Sequence, residues 1–178
     1  MPTNALANPL VLPILGLLVE QPRHAYAVFA ELRHRYEYLA VRNATVYTLL
    51  ETLTATGWVE ATAAGERPVL STTAAGRAAL ADKVADQVAH SDLAGGPAFA
   101  TALAYLGILS RGEASRVLQE RLLAIRERAE TLRRIVDTAG ASELHMIEAH
   151  YLLERFDHDA SWLERTAERI ANGEISWT

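Results

Sequence analysis

Apolar positions recur at helical spacing along most of this 178-residue chain, so the pattern predicts a protein that is mostly α-helical. The first helix is expected over about residues 9–20, and its residues are apolar on nearly every side. Such a helix belongs in the centre of a core, because none of its faces would be stable in water. A second helix is expected over about residues 24–36, with Val28, Phe29 and Leu32 at inward-facing positions.

The segment from Asn43 to Gly57 predicts a third helix with two different faces. Its apolar residues follow the i, i+3, i+4, i+7 spacing of a buried stripe: Val46, Leu49, Leu50 and Leu53. The opposite face carries three threonines: Thr45, Thr48 and Thr52. Gly57 is expected to end the helix, because glycine readily adopts the left-handed conformation found just beyond a helix C-terminus.

Two short apolar runs, residues 58–61 and 69–72, predict a β-hairpin with Gly65 in its turn. Thr73 is expected to cap a fourth helix that continues to about His90. Three helices followed by a two-stranded hairpin is the arrangement of a winged helix-turn-helix domain. The fold class predicted for the chain is therefore mostly α with a small β-wing.

A helix with one buried face and one face of small hydroxyl side chains can enter a DNA major groove without steric conflict. Threonine hydroxyls can bond to phosphates or base edges, and their methyl groups can contact the thymine methyl group. Arg67 on the hairpin would reach phosphate or the minor groove beside it. The predicted DNA-binding residues are Arg42, Asn43, Thr45, Tyr47, Thr48, Thr52 and Arg67. The alternative is that the threonine face is plain solvent surface and Arg67 an ordinary turn arginine.

Three stretches of the first half resemble the PadR family of transcriptional regulators: LPILGLLVEQPRHAYAVFAEL, NATVYTLLETLTATGWVE and ERPVLSTTAAG. The positions that match the family pattern are His24, Tyr26, Thr45, Tyr47, Leu50, Gly57, Val59, Arg67, Thr73 and Gly76. The chain departs from the pattern at Ala25, at Trp58 and at residues 68–70, where the family's wing carries an Arg and Tyr pair.

This resemblance implies a DNA-binding regulator in which Thr45, Tyr47 and Arg67 contact the operator. It further implies a repressor that a small aromatic or hydrophobic effector releases from DNA. Long members of the family have a helical C-terminal domain that dimerises, so residues 1–91 are expected to bind DNA and residues 92–178 to dimerise.

The second half is expected to be helical throughout. A helix over residues 98–109 is followed by Ser110 and Glu113, which have the spacing of a capping box. Apolar residues then alternate in steps of three and four on two long helices separated by Gly140. This coiled-coil-like spacing favours an antiparallel pair of helices.

A second apolar set on the last helix would face outward from that pair, so a homodimer is expected to cover it. The predicted dimerisation residues are Leu144, Ile147, Tyr151, Leu152, Leu153, Phe156 and Leu163. Two copies would bind two half-sites of a palindromic operator, one helical turn apart. The alternative is a bundle formed within one chain.

Five residues of the second half are candidates for lining an effector site: Phe99, Tyr105, His150, Tyr151 and Trp162. Their rings can stack on a small aromatic molecule or form hydrogen bonds to it. The competing interpretation, which we favour, is that they pack in the core and at the interface.

Composition narrows the function further. The chain has no cysteine and a net charge of −5, and its first 80 residues are neutral, with six Arg against six Glu. No metal site, cofactor, catalytic motif, signal peptide or membrane span is predicted, so we expect a cytoplasmic protein that is not an enzyme. His145 and His150, for example, are five residues apart and face different sides of a helix. The neutral first part leaves one alternative function open, a protein-interaction module whose winged helix no longer binds DNA.

Overall fold

The computed structural model describes residues 5–63 and 67–177, which form helices and one two-stranded antiparallel sheet, as predicted. The helices and strands are α1 (Val11–Glu20), α2 (Ala25–Arg35), α3 (Asn43–Ala55), β1 (Val59–Thr62), β2 (Val69–Thr72), α4 (Ala74–His90), α5 (Pro97–Leu103), α6 (Arg111–Thr138) and α7 (Ile147–Ala171). Short 3₁₀ helices lie at Ala5–Ala7, Leu106–Ile108 and Glu143–Met146. None of the helices in these described ranges is long and apolar enough to cross a membrane.

Two compact units make up the chain. The N-terminal unit comprises the described residues up to Val84 together with Thr101–Ile108. The C-terminal unit comprises Ala85–Ala100 together with the described residues from Leu109 onward.

Helix α1 lies at the centre of the N-terminal unit, and every residue from Val11 to Leu18 is buried. This confirms the interpretation of its uniformly apolar sequence. The helix begins at Val11, two residues later than predicted, and the Asn8 side chain accepts a hydrogen bond from the Leu10 N–H at 2.9 Å. The backbone is extended at Gln21, so the helix stops before Pro22.

The predicted helix over residues 98–109 is interrupted in the structure, because α5 ends at Leu103 and a 3₁₀ helix follows. Tyr105, between the two, packs so closely on α1 that a Cβ added to Gly16 would lie 2.3 Å from its ring. Its hydroxyl also accepts a hydrogen bond from the Tyr36 hydroxyl at 2.6 Å. These tertiary contacts override the helical tendency of the segment.

Strands β1 and β2 form the wing, with Val59 opposite Thr72 and Thr62 opposite Val69. Gly57 precedes them with a φ of +78°, which confirms its predicted role in ending α3. Arg23 extends the sheet by one bridge, since its N–H and carbonyl both bond to the backbone of Leu70, at 3.0 and 2.9 Å. The turn predicted at Gly65 lies outside the described residues.

Helices α6 and α7 pack as the predicted antiparallel pair. Arg126 bonds Glu164 at 2.8 Å, while Arg133 bonds Asp157, so the order of partners runs in opposite directions along the two helices. The buried side chains between them come from the heptad positions: Leu118, Leu122, Ile125, Ala129, Phe156, Leu163 and Ile170. The capping box of Ser110 and Glu113 is confirmed, and Gly140 has a φ of +60°.

One charged residue is buried in the C-terminal unit. Arg121 is 1% exposed, and its guanidinium donates to the carbonyls of Ser91 at 3.0 Å and Asp92 at 2.8 Å. The same group lies 3.9 Å from the ring centroid of Phe99. Burial lowers the pKa of Arg121. The arginine therefore ties α6 to the segment that follows α4.

Candidate nucleic-acid interface

Helix α3 is oriented by its apolar face, whose four residues Val46, Leu49, Leu50 and Leu53 are at most 4% exposed. This burial confirms the predicted stripe and turns the threonine face outward. Thr48 is exposed, while Thr45 and Thr52 are half-buried. The Thr52 hydroxyl donates its hydrogen bond to the Thr48 carbonyl at 2.8 Å. The oxygen lone pairs of Thr52 can still accept a hydrogen bond from a ligand, and its methyl group can make an apolar contact.

The N-terminus of α3 is suited to an anion. Arg42 occupies the N-cap position and makes no side-chain capping bond, while Asn43 is the first helical residue. Both side chains are exposed. Free N–H groups in the first turn of a helix attract phosphate, and the cation of Arg42 adds to this attraction.

The wing is held against the start of α2 by a histidine. His24 Nδ1 lies 2.9 Å from the carbonyl oxygen of Pro68 and therefore donates to it. Together with the Arg23 bridge to Leu70, this bond fixes the base of β2 beside α2. Arg67, next to Pro68, is exposed. The sequence matched His24 to a family pattern without assigning it a role, which the fold now supplies.

A groove of about 780 Å³ lies between the start of α2, the C-terminal part of α3 and the wing. Its lining is mostly apolar and includes the rings of Tyr26 and Tyr47, the methyl group of Ala55, and Pro68. Tyr26 is 62% exposed and was not predicted as a site residue, although it matched the family pattern. A groove made by three separate elements cannot be read from the periodicity of any one of them.

Ion pairs divide the cations of the N-terminal unit into two groups. Arg35 donates hydrogen bonds to Glu20 at 2.7 Å and to Glu31, and the bond to Glu20 is the main reason that the pKa of Arg35 is raised. Arg23 pairs with Glu20 at 3.5 Å. Among the described residues, Arg42 and Arg67 form no ion pair. The unit is neutral in total, yet its unpaired cations include the two that flank the threonine face.

The predicted dimerisation residues occupy two environments. Leu144 lies in the 3₁₀ helix before α7, and Ile147 and Tyr151 lie in α7. These three side chains are 59–73% exposed, which confirms the outward orientation predicted for them but not the one predicted for Leu152. Leu152 and Leu153 are half-buried. Two further members of the set are buried within the chain: Phe156 and Leu163.

Helix α6 adds two exposed apolar side chains that the sequence reasoning missed, Leu123 at 66% and Ile135 at 49%. They lie outside the heptad positions on which the prediction was based. Both belong to the C-terminal unit, as do Leu144, Ile147 and Tyr151.

The predicted effector residues also differ in environment. Phe99 lies beneath the Arg121 guanidinium, and Tyr105 is buried in the N-terminal unit, where burial raises its pKa. Tyr151 and Trp162 are exposed, and His150 is half-buried. Phe99 and Tyr105 thus already contact other side chains of the chain.

Comparison with known proteins gives a family for the N-terminal unit. Residues 14–82, less than half of the chain, match the family model described as "Transcriptional regulator PadR-like family". The matched range begins within α1, includes α2, α3, β1 and β2, and ends about halfway along α4, and the resemblance noted in the sequence is confirmed for it. No curated protein matches the chain.

Several solved structures are similar over most of their length. Bacillus subtilis PadR in complex with operator DNA is 22% identical, with a TM-score of 0.42 and coverage of 92% of this chain and 99% of that one. Bacillus subtilis PadR in complex with p-coumaric acid is 20% identical, with a TM-score of 0.43 and coverage of 96% and 99%. The PadR-like transcriptional regulator BC1756 from Bacillus cereus is 12% identical, with a TM-score of 0.41 and coverage of 91% and 98%.

Proposed function

We propose that this chain, which is a PadR-like transcriptional regulator by virtue of residues 14–82, binds an operator through the exposed threonine face of α3. In this proposal Thr48 lies nearest the bases, with Thr45 and Thr52 beside it. Arg42, Asn43 and the N-terminus of α3 bind phosphates on one side, and Arg67 of the wing binds them on the other.

The observation that carries this proposal is the burial of the apolar face of α3 in the N-terminal unit. Burial of Val46, Leu49, Leu50 and Leu53 leaves a helix of small hydroxyl side chains on the surface. Such a face suits the major groove, which admits an α-helix and where threonine hydroxyls and methyl groups can contact base edges. Arg42 and Arg67, two of the cations that form no ion pair among the described residues, supply the local positive charge that the neutral total does not.

We further propose that the protein acts as a homodimer. The exposed apolar side chains of Leu144, Ile147 and Tyr151 would be stabilised by burial against a second copy. Two copies would present two α3 helices to half-sites one helical turn apart, which multiplies the affinity of a single unit. Residues 1–91 are then the DNA-binding part, residues 92–178 the dimerising part, and a palindromic operator follows from the symmetry.

The finer role that we propose is that of a cytoplasmic repressor, released from DNA by a small aromatic or hydrophobic molecule. The description of the matched family supports a regulator rather than an enzyme. Transcriptional control requires access to the DNA, which is consistent with a cytoplasmic location.

Selection of bound DNA from sheared genomic fragments tests the proposed function. We expect the purified protein to enrich a small set of fragments that share an inverted repeat. Retention should weaken as salt is added, because phosphate contacts release counterions. Enrichment of no sequence at low salt would contradict the proposal.

The neutrality of residues 1–80 favours one other function, that of a protein-interaction module. Such a module would use the same exposed faces to bind a protein. It would recover no fragment in the selection, so the two functions give opposite results in the same experiment.

A further inference from the structure

The groove between α2, α3 and the wing has a preformed shape and an exposed carboxylate in its lining. The His24 bond to Pro68 and the Arg23 bridge to Leu70 hold the wing against α2, so the walls of the groove are tied together. Its volume of about 780 Å³ falls within the range typical of small-molecule sites, roughly 300–1,000 Å³.

Glu51 stands at the centre of the row that α3 contributes to this groove, between Tyr47 and Ala55 at steps of four residues. Among the described residues it forms no ion pair, and its side chain is exposed. In the proposed DNA complex this carboxylate would lie near phosphates and would oppose binding, because like charges repel. Its position therefore calls for an explanation other than DNA binding.

The chemistry around Glu51 matches an organic cation. The rings of Tyr26 and Tyr47 line the same groove and are 62% and 39% exposed, and aromatic faces attract cations. The remaining wall is apolar and suits a flat hydrocarbon surface. The one arginine in the lining, Arg67, is exposed on the wing, where its guanidinium can turn toward solvent.

We propose that this groove binds a planar aromatic cation, with the charge on Glu51 and the rings against Tyr26 and Tyr47. The bound cation excludes DNA, because Tyr47 and Arg67 belong both to the groove and to the proposed DNA surface. This second step rests on the proposed function. The double helix is a poorer occupant of the groove, since its charged backbone would have to enter an apolar space.

The probe that tests the site is 2-naphthylmethylamine, a planar aromatic cation at neutral pH, titrated into the full-length protein by calorimetry without DNA. We expect Glu51→Gln to weaken binding by about tenfold, which corresponds to about 1.4 kcal/mol. Ala55→Phe should weaken it at least as much, because the added ring fills the groove. The matched controls are Glu37→Gln and Ala78→Phe, both at exposed positions outside the groove, and both should bind like the unaltered protein.

The anion 2-naphthoate has the same rings and should bind more weakly than the amine. If the two probes bound equally, or if both groove variants bound the amine as the unaltered protein does, the proposed cation site would be contradicted. Neither result would affect the proposed function, because retention of selected DNA is measured without the amine. A failure to retain any DNA would contradict the proposed function. The calorimetric titrations would still test whether the groove binds the aromatic cation.

Competition completes the test. The apparent dissociation constant for selected DNA should rise in proportion to the concentration of the amine. Glu51→Gln should bind DNA at least as tightly as the unaltered protein, since a negative charge beside the phosphates is removed. The exclusion step would be overturned if the amine bound the groove and left DNA affinity unchanged. If Ala55→Phe lost DNA binding while the amine did not bind, the groove would belong to the DNA interface instead.

Discussion

Helices α3 and α7 each bury one apolar stripe, and they differ in what they leave uncovered. The exposed face of α3 carries threonine hydroxyls beside Arg42, whereas the exposed start of α7 carries Ile147 and Tyr151. A small polar face is stable in water and leaves room for a charged partner such as DNA. An exposed cluster of large apolar side chains indicates another protein surface instead. The contrast therefore supports the proposal that two helices predicted by the same periodicity have different partners.

The largest effect on stability is expected in the buried stripes, where the two helices are alike. Leu53→Ala in α3 and Leu163→Ala in α7 each remove a side chain that is at most 1% exposed. Each should lower the free energy of unfolding by about 2–5 kcal/mol, because a cavity is left behind. Urea denaturation followed by circular dichroism measures both losses. A change below about 1 kcal/mol at either site would contradict the packing described for that helix.

A charged substitution at the exposed start of α7 should weaken dimerisation and should leave the folding of the subunit unaffected. Ile147→Arg places a cation in the apolar cluster and should weaken dimerisation by roughly 2–3 kcal/mol, because the charge would be buried in the interface. Analytical ultracentrifugation at micromolar concentration measures the change. Ser161→Arg, at another exposed position of α7, is the matched control and should leave the dimer intact. If the unaltered protein were a monomer, the proposed role of this cluster in dimerisation would be contradicted.

The cations beside α3 should determine how DNA binding depends on salt. Arg42→Ala and Arg67→Ala should each reduce the slope of log affinity against log salt concentration by about one, as expected for the loss of one phosphate contact. Fluorescence anisotropy with the selected DNA gives the slope. Arg77→Ala, on the exposed surface of α4, is the control. An unchanged slope in either variant would show that its arginine does not contact phosphate.

The smallest effect is expected away from both faces, at the start of α6. The Ser110 side chain accepts a hydrogen bond from the Glu113 N–H at 3.3 Å, and the Glu113 carboxylate accepts one from the Ser110 N–H at 3.0 Å. Ser110→Ala should lower the free energy of unfolding by about 1 kcal/mol, without affecting DNA binding. Chemical denaturation tests the first expectation, and a mobility shift tests the second.

The sequence predicted those features that depend on neighbouring residues. The stripe of α3, the left-handed Gly57 and the capping box at Ser110 are each determined within one or two helical turns, and each is confirmed. The outward face at the start of α7 followed from the same kind of reasoning. Local periodicity is reliable in these places because the buried face and the helix signals agree.

Features formed by distant residues were missed. Tyr105 interrupts the predicted fifth helix because it packs on Gly16 and bonds Tyr36, which are 89 and 69 residues away in sequence. Nothing in the sequence around Arg121 distinguishes it from a surface arginine, yet it donates hydrogen bonds to two backbone carbonyls of the segment after α4. The groove beside α3 depends on the bond between His24 and Pro68, which are 44 residues apart. No local pattern contains the information for such contacts.

The threonine face of α3 is tested most directly by a mobility shift with the selected DNA. Thr48→Glu places a carboxylate where the account puts the bases and phosphates, and Thr138→Glu makes the same change on the exposed surface of α6. The account predicts that Thr48→Glu weakens binding by at least roughly a hundredfold, because like charges are brought together, while the dimer stays intact. Thr138→Glu should bind like the unaltered protein. Equal affinity of the two variants would contradict the assignment of α3 as the helix that reads DNA.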